Sequence, residues 1–223
     1  MKPKIFYFII GVLFFTIIGS KIFFYLDALK EKREVKNKFN YSRISTTEIA
    51  EIQEGDFILR RGFGYFSNMI ATRLNEAPFD VTHAGVLIID NGKWAVIHSL
   101  SSDVSKIDGI QIQYLDEFLK YSQPNKIVIT RFKSPTISTN YQIATSAKYH
   151  LKKNIPFDNL ADFEDSTRMY CTELILHILN KDLKVLEIDK TKQEKHDFLF
   201  TMKKMYDTNY FKLVVNRYQT HKY

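Results

Sequence analysis

The pattern of apolar and polar positions begins with a long apolar segment at the amino end of the chain. Residues 5 to 20 carry no charge, and the apolar character resumes after Lys21 up to Leu26. A helix over this stretch would be about 33 Å long, enough for a hydrocarbon core of about 30 Å. The pattern predicts a single-pass membrane anchor at 1–26. A cleaved signal peptide is the alternative, because two lysines precede the apolar run.

The remainder of the chain separates into a charged segment and a domain with mixed periodicities. Residues 27–45 mix both charge signs and contain few large apolar residues, which indicates a stalk, so the domain is predicted at 46–223. Within it, β-branched and aliphatic runs alternate with helical patterns, which predicts the α+β class. Strands are predicted at 55–60, 83–90, 93–99, 126–132 and 211–217, and helices near 65–74, 114–121, 138–152 and 171–180.

A hairpin signal fixes the register of the two central strands. The dipeptide at 91–92 is Asn-Gly, which favours a two-residue turn between strands. With Asp90 opposite Lys93, His83 and His98 become diagonal neighbours on one face of the sheet, close enough for their rings to meet. We therefore interpret His83 as a candidate base and His98 as the group that orients it.

Cys171 is the only cysteine of the chain, and it stands where an irregular acidic stretch gives way to a helical apolar pattern. The N–H groups at a helix start favour a thiolate, so Cys171 is a candidate nucleophile for His83 to activate. Gly85, predicted to lie opposite His98, leaves room for both rings. The alternatives are a buried structural cysteine, satisfied core histidines or half of a metal site. The residues alone leave the catalytic and structural interpretations balanced.

The remaining polar candidates favour structural roles. Glu173 is predicted to complement the helix dipole in the first turn after Cys171. The four other histidines are expected at the surface or in caps, and the acidic group before Cys171 is expected to form a solvated loop with capping ability. These histidines are His150, His177, His196 and His221, and the acidic residues are Asp158, Asp162, Glu164 and Asp165.

Three stretches occur in the order found in a known enzyme family. Residues 54–59 (Glu-Gly-Asp-Phe-Ile-Leu), 82–87 (Thr-His-Ala-Gly-Val-Leu) and the stretch from 156 to 175, with Pro-Phe-Asp and Tyr-Cys-Thr-Glu-Leu-Ile, resemble the permuted NlpC-type papain-like cysteine hydrolases, the YiiX-like group. The resemblance covers about residues 50 to 218. It implies a circularly permuted papain-like domain with a central antiparallel sheet. It also implies catalytic roles for Cys171, His83 and His98, although a carboxylate is expected at the third position in this branch.

The resemblance implies a thiol-dependent hydrolase that cleaves an amide bond, with cell-wall (peptidoglycan) peptides as the expected substrate. A lipid-directed thioesterase or acyltransferase at the membrane is the alternative enzyme. A membrane-anchored scaffold of the same fold without turnover is the third hypothesis. The chemistry needs no metal or organic cofactor, because thiol and imidazole supply the nucleophile and the base. The expected partners are a peptide or acyl substrate and the membrane.

Charge bears on partners and location. The formal net charge is +7, but the lysines are spread along the chain without a nucleic-acid-binding motif, so no nucleic-acid partner is predicted. Lysines and arginines after the apolar run favour a cytoplasmic domain by the positive-inside rule. The resemblance to exported wall hydrolases favours the opposite side. The resulting prediction is a membrane-anchored protein whose hydrolase domain is periplasmic or extracytoplasmic.

Overall fold

The architecture is α+β. The computed structural model describes residues 3–37, 43–74, 78–133, 136, 138–160, 162, 165–187 and 199–218. The elements in chain order are α1 (Pro3–Asn37), α2 (Thr46–Glu51), β1 (Phe57–Arg60), α3 (Gly64–Leu74), β2 (His83–Asp90), β3 (Lys93–Leu100), β4 (Gly109–Tyr114), α4 (Leu115–Lys120), β5 (Ile127–Phe132), α5 (Thr139–Lys152), α6 (Cys171–Leu176), a π-helix (His177–Asp182), a 3-10 helix (Lys203–Tyr206) and β6 (Phe211–Asn216).

The six strands form one antiparallel sheet in the order β4-β3-β2-β1-β5-β6. The predicted central antiparallel sheet is therefore confirmed. The hairpin register is also as predicted, with Asp90 opposite Lys93. The turn residues Asn91 and Gly92 have φ values of 48° and 74°. A tight hairpin turn needs positive φ at both positions, which Asn and Gly adopt at low cost.

Hydrophobic clusters cover both faces of the sheet. On one face, Val86 and Ile97 pack with Leu174 and Ile175 of α6 and with Ala147 of α5. On the other face, a second cluster is built around α4; it comprises Ile52, Ile58, Leu87, Val96, Leu115, Phe118, Leu119, Ile127, Ile129 and Val215. Burial on both faces explains the nearly continuous apolar sequence of the central strands.

Two elements differ from the sequence prediction. Strand β4 was missed, although apolar and polar residues alternate along 109–114 (Gly-Ile-Gln-Ile-Gln-Tyr) with the period of a strand. The predicted helix at 171–180 is α-helical only to Leu176 and continues as the π-helix. The N–H of Leu183 donates to the carbonyl of Ile178 at 3.0 Å, a bond five positions apart. A π turn is seldom predictable from periodicity because it interrupts the helix for one turn only.

The prediction for the amino-terminal segment is wrong. Among the residues that the structure describes, no helix is long and apolar enough to cross a membrane. The predicted location, a domain anchored to a membrane by a single-pass helix, is therefore wrong. The apolar run is instead one part of the 35-residue helix α1, which continues through the charged residues after it. Lys21 of this helix forms an ion pair with Asp103 at 2.8 Å.

The second half of α1 is attached to the domain through the start of α3. Asp27, which is buried, accepts hydrogen bonds from the N–H groups of Tyr65 and, at 3.0 Å, of Phe66. Glu34 accepts from the N–H of Gly64 at 3.0 Å. These carboxylates satisfy first-turn N–H groups that a helix leaves without internal partners. Residues that were predicted to form a stalk therefore contact the domain at the start of α3. The predicted segment boundaries at residues 26 and 45 stay a prediction.

Candidate active site

Two histidines on neighbouring strands are joined by a hydrogen bond. His83 begins β2, His98 lies on β3, and Nε2 of His83 is 2.9 Å from Nδ1 of His98. Both side chains are buried, with 7% and 1% of their surface exposed. Burial, followed by the charge of Arg60, lowers the pKa of His98 to about 3; burial, Arg60 and His98 lower the pKa of His83 well below 6.5. Both rings are therefore neutral at neutral pH.

Gly85 explains how the two rings fit on one sheet face. A Cβ atom at Gly85 would lie 2.4 Å from Cγ1 of Val96 and 3.1 Å from Cβ of His98. Side chains directly across an antiparallel pair compete for this volume. The missing Cβ therefore permits the position of the His98 side chain beside β2, as the sequence analysis expected.

Cys171 is the first residue of α6 and lies beside the start of β2. Its thiol interacts with three backbone N–H groups, those of Ala84, Thr172 and Cys171 itself, which lower its pKa. Ala84 directly follows His83 and lies beyond Val86–Ile97, the last pair of the β2–β3 ladder at that end. Burial outweighs these hydrogen bonds and raises the pKa of the Cys171 thiol. The low pKa expected from the helix start is therefore wrong.

Arg60 is a site residue that the sequence analysis missed. It is the last residue of β1 and lies directly across from His83 in the sheet. Its guanidinium carbon is 4.7 Å from the ring centroid of Phe118, and it donates to the carbonyl of Tyr121. Burial lowers the pKa of Arg60 to about 10, which leaves it charged at neutral pH. The signal in the sequence was an arginine at the end of an apolar strand. Nothing in the sequence connected this arginine with Cys171.

Phe118 organises these groups by packing. Its ring centroid lies 5.8 Å from that of His83 and 5.4 Å from that of His98. The guanidinium of Arg60 and both imidazoles therefore contact the same aromatic ring. A face of an aromatic ring attracts a cation, so Phe118 also stabilises the buried charge of Arg60.

An acidic residue of α1 faces this buried cation. Burial raises the pKa of Glu31, and Arg60 opposes that rise by favouring the charged carboxylate. Asp27 and Glu34, which cap α3, raise the pKa of Glu31 further. Helix α1 thus brings a carboxylate near the site from a segment that the sequence analysis assigned to a stalk.

The acidic residues near Cys171 have structural roles. Glu173 accepts a hydrogen bond from the N–H of Tyr170 at 3.2 Å, as predicted for a first-turn carboxylate. Burial raises its pKa to about 8. Asp158 is buried and accepts from the N–H groups of Leu160 and Asp162 at 2.8 and 2.7 Å. Glu164 lies outside the described residues.

Two of the remaining histidines do not have the surface or capping roles predicted for them. His150 is buried, and its Nε2 is 2.7 Å from Oδ2 of Asp182. His177 is half-buried, with its Nε2 3.4 Å from Oδ1 of the same carboxylate. Within the described part of the chain, these three side chains are the group that could hold a metal ion. His196 and His221 lie outside the described residues.

A comparison with family models places the chain. Residues 51–209 match the model of the permuted papain-like amidase enzymes, YaeF/YiiX, the C92 family. The chain belongs to this family. It is therefore a papain-like cysteine amidase, a hydrolase whose substrates are peptides or related acyl compounds. The resemblance to the permuted, YiiX-like group is confirmed.

A solved structure agrees with this assignment. The crystal structure of metalloprotein yiiX from Escherichia coli O157:H7 aligns with a TM-score of 0.56 at 16% sequence identity, over 75% of this chain and 99% of that chain. At this identity the likeness concerns the fold. No curated protein matches the sequence.

Proposed function

We propose that the YiiX-like amidase hydrolyses an amide bond with Cys171 as nucleophile, His83 as base and His98 as the residue that positions the base. The observation that carries this proposal is the 2.9 Å bond between Nε2 of His83 and Nδ1 of His98. This bond uses one ring nitrogen of His83 and leaves its Nδ1 for the thiol. The thiol of Cys171 interacts with the N–H of Ala84, the residue that follows His83, and this supports the pairing of Cys171 with His83.

The tautomers follow from the direction of proton transfer. For Nδ1 of His83 to accept a proton, its Nε2 must carry hydrogen and donate it to Nδ1 of His98. His98 then carries its own proton on Nε2, an atom that is buried without a hydrogen-bond partner among the described residues. His98 is a neutral acceptor here, in contrast to a carboxylate, so it fixes the tautomer without stabilising an imidazolium by opposite charge.

The reaction begins from a neutral pair. The Sγ–H proton moves to Nδ1 of His83 as the sulfur–carbon bond forms, because burial disfavours a thiolate before attack. The N–H of Cys171 and the charge of Arg60 would stabilise the oxyanion that develops. His83 returns the proton to the leaving nitrogen as the carbon–nitrogen bond breaks. Water then adds to the thioester and transfers a proton to Nδ1 of His83. As the carbon–sulfur bond breaks, His83 returns this proton to Sγ, which leaves the carboxylic acid product and the free thiol.

The substrate that we propose is an amide bond in a cell-wall peptide. The family supplies the reaction type, and the net charge of +7 supports an acidic polymer as the binding partner. A lipid ester is the competing substrate for the same three side chains. The YiiX structure is titled a metalloprotein, but each step above uses only groups of this chain.

The test compares substrates that differ in the bond cleaved. Purified full-length protein is incubated with muropeptides, with an ester of the same acyl group, and with a phospholipid, and products are identified by mass spectrometry. We expect products whose summed mass exceeds that of the muropeptide by one water, which indicates hydrolysis of an amide bond. The rate of product formation should fall about 10³-fold or more in Cys171→Ala and His83→Ala. Cleavage of only the lipid ester would support the competing substrate, and equal turnover in Cys171→Ala would refute the thiol mechanism.

A further inference from the structure

A second cluster of chemically reactive side chains lies away from the proposed catalytic residues. His150 belongs to α5, whereas His177 and Asp182 are the first and last residues of the π-helix. One candidate ligand atom from each of the three side chains lies within 4.8 Å of the others. Both histidines present Nε2 to the same carboxylate, at 2.7 Å for His150 and 3.4 Å for His177.

The π-helix is what brings two of these side chains together. His177 and Asp182 are five positions apart, which in a regular α-helix places them on different faces. The wider π turn joins positions five apart by hydrogen bonds, so the two side chains meet on one side of the helix. Such turns cost stability and concentrate at functional sites. The catalytic chemistry gives no reason for a π turn at this place.

The three side chains are held by contacts within the domain and are partly exposed to solvent. The exposed fractions of the side chains are 5% for His150, 15% for His177 and 27% for Asp182, so the carboxylate is the part that solvent reaches. The rings of His150 and His177 meet edge to face, with centroids 5.0 Å apart. Asp182 also accepts a hydrogen bond from the hydroxyl of Ser146, which orients the carboxylate.

We propose that His150, His177 and Asp182 bind a zinc-type divalent cation. Two imidazole nitrogens with one carboxylate form a known zinc ligand set, and zinc held by three protein ligands keeps a fourth position for water. Tetrahedral ligands at about 2.0–2.1 Å from zinc lie roughly 3.3 Å apart. The distance from Nε2 of His177 to the carboxylate is 3.4 Å, whereas Nε2 of His150 would move outward from its 2.7 Å hydrogen bond. For Nε2 of His150 to bind the metal, the hydrogen that joins Nε2 to Asp182 must move to Nδ1, so that the bound imidazole stays neutral.

The ligand chemistry selects among metals. Magnesium and calcium prefer oxygen ligands, whereas this site offers two nitrogens. Lys153 and Lys181 act on His177 electrostatically and weaken the attraction for any dication. Bonds to the two nitrogen ligands offset this repulsion only for metals that bind imidazole well, such as zinc, cobalt, nickel or copper. The site therefore discriminates against the abundant hard cations.

The metal would connect α5 to the helix that begins with the proposed nucleophile. Helix α6 starts at Cys171 and runs without a break into the π-helix that carries His177 and Asp182. A metal at this end holds the helix against α5 and so stabilises the fold around the site. It is a structural role, separate from the proposed hydrolysis, because the metal ligands begin six positions after Cys171 along that helix.

The experiment uses full-length protein stripped with a chelator and then titrated with ZnCl₂, CoCl₂ and MgCl₂. We expect one equivalent of zinc by calorimetry, visible bands of four-coordinate cobalt, and a rise in Tm of about 5–10 °C when zinc exceeds its Kd a hundredfold. Magnesium should produce none of these changes. Failure to bind zinc or cobalt at 1:1 stoichiometry would overturn the proposal.

Matched variants locate the metal. His177→Ala and Asp182→Asn should lose the calorimetric signal and the cobalt bands while keeping the far-UV circular dichroism of the parent. Asp103→Asn is the control, because its side chain is as exposed as that of Asp182, 27% in each case. Cys171→Ser tests the thiol as a competing ligand. Zinc binding that disappears in Cys171→Ser but persists in Asp182→Asn would refute the proposed site.

Discussion

Replacing His98 with alanine tests the proposed positioning of His83 without requiring a known substrate. The change removes the acceptor that lies 2.9 Å from Nε2 of His83. The His83 ring then has a buried N–H without that partner, and the tautomer with hydrogen on Nδ1 becomes competitive. That tautomer cannot accept the proton of Cys171. Alkylation of Cys171 by iodoacetamide at pH 7 should therefore become slower.

The size of the effect follows from the hydrogen bond. A neutral hydrogen bond contributes about 0.5–1.5 kcal/mol net, and a buried donor left unpaired costs about 1–3 kcal/mol. Because about 1.4 kcal/mol corresponds to a factor of ten in rate, the loss should be about tenfold to a hundredfold. His98→Asn should recover most of this rate, because the amide oxygen can accept from Nε2 of His83 near the position of the imidazole Nδ1.

The assay is intact-protein mass spectrometry of the alkylated fraction against time. Thr130→Ala serves as the control, because Thr130 is a fully buried polar residue on β5 whose hydroxyl has no partner among the described residues. Thermal melts of all variants report whether the fold persists. An unchanged rate in His98→Ala would refute the positioning role, and an equally slow His98→Asn would show that the acceptor atom is not what matters.

Three further predictions concern pH, packing and charge. The pKa of His98 is about 3 in the folded protein, so between about pH 3 and 6.5 the unfolded chain binds more protons than the folded one. The free energy of unfolding should therefore fall on acidification through this window, by up to about 1.4 kcal/mol per pH unit for this group. His98→Asn should flatten a plot of unfolding free energy against pH. Gly85→Ala should destabilise the protein by about 1–3 kcal/mol in denaturant titrations, because the added Cβ would lie 2.4 Å from Cγ1 of Val96. Combining Gly85→Ala with Val96→Ala removes this clash and should recover part of that loss. Arg60→Met should raise the inflection of Cys171 alkylation further above the free-thiol value of about 8.5, because the charge of Arg60 lowers the pKa of the thiol. An inflection that stays in place would contradict the electrostatic role of Arg60.

The sequence predicted those features that depend on local patterns. The Asn-Gly turn set the register, which placed His83 and His98 within reach of each other as the structure shows. The start of α6 at Cys171 followed from a change of periodicity. Both inferences need only residues that are close along the chain. The catalytic roles of these three residues remain proposals.

The features that escaped prediction depend on contacts between distant segments. Arg60 and Phe118 are far apart in sequence, and only the folded sheet brings the guanidinium against the ring. The meeting of His150 with Asp182 requires both the packing of α5 and a π turn. The pKa of Cys171 rises because burial exceeds the effect of three N–H groups, and burial is a property of the whole fold. Periodicity along the chain carries none of this information.

The positions of the proposed reactive groups within their elements have an evolutionary consequence. Arg60 is the last residue of β1, His83 is the first of β2, and Cys171 is the first of α6. Each element runs from the site into the core, so the residues that pack and the residues that react occupy separate stretches of sequence. Cores accept many apolar exchanges when volume and pattern are kept. The interior can therefore exchange many apolar residues without changing the terminal positions that carry the proposed reactive groups.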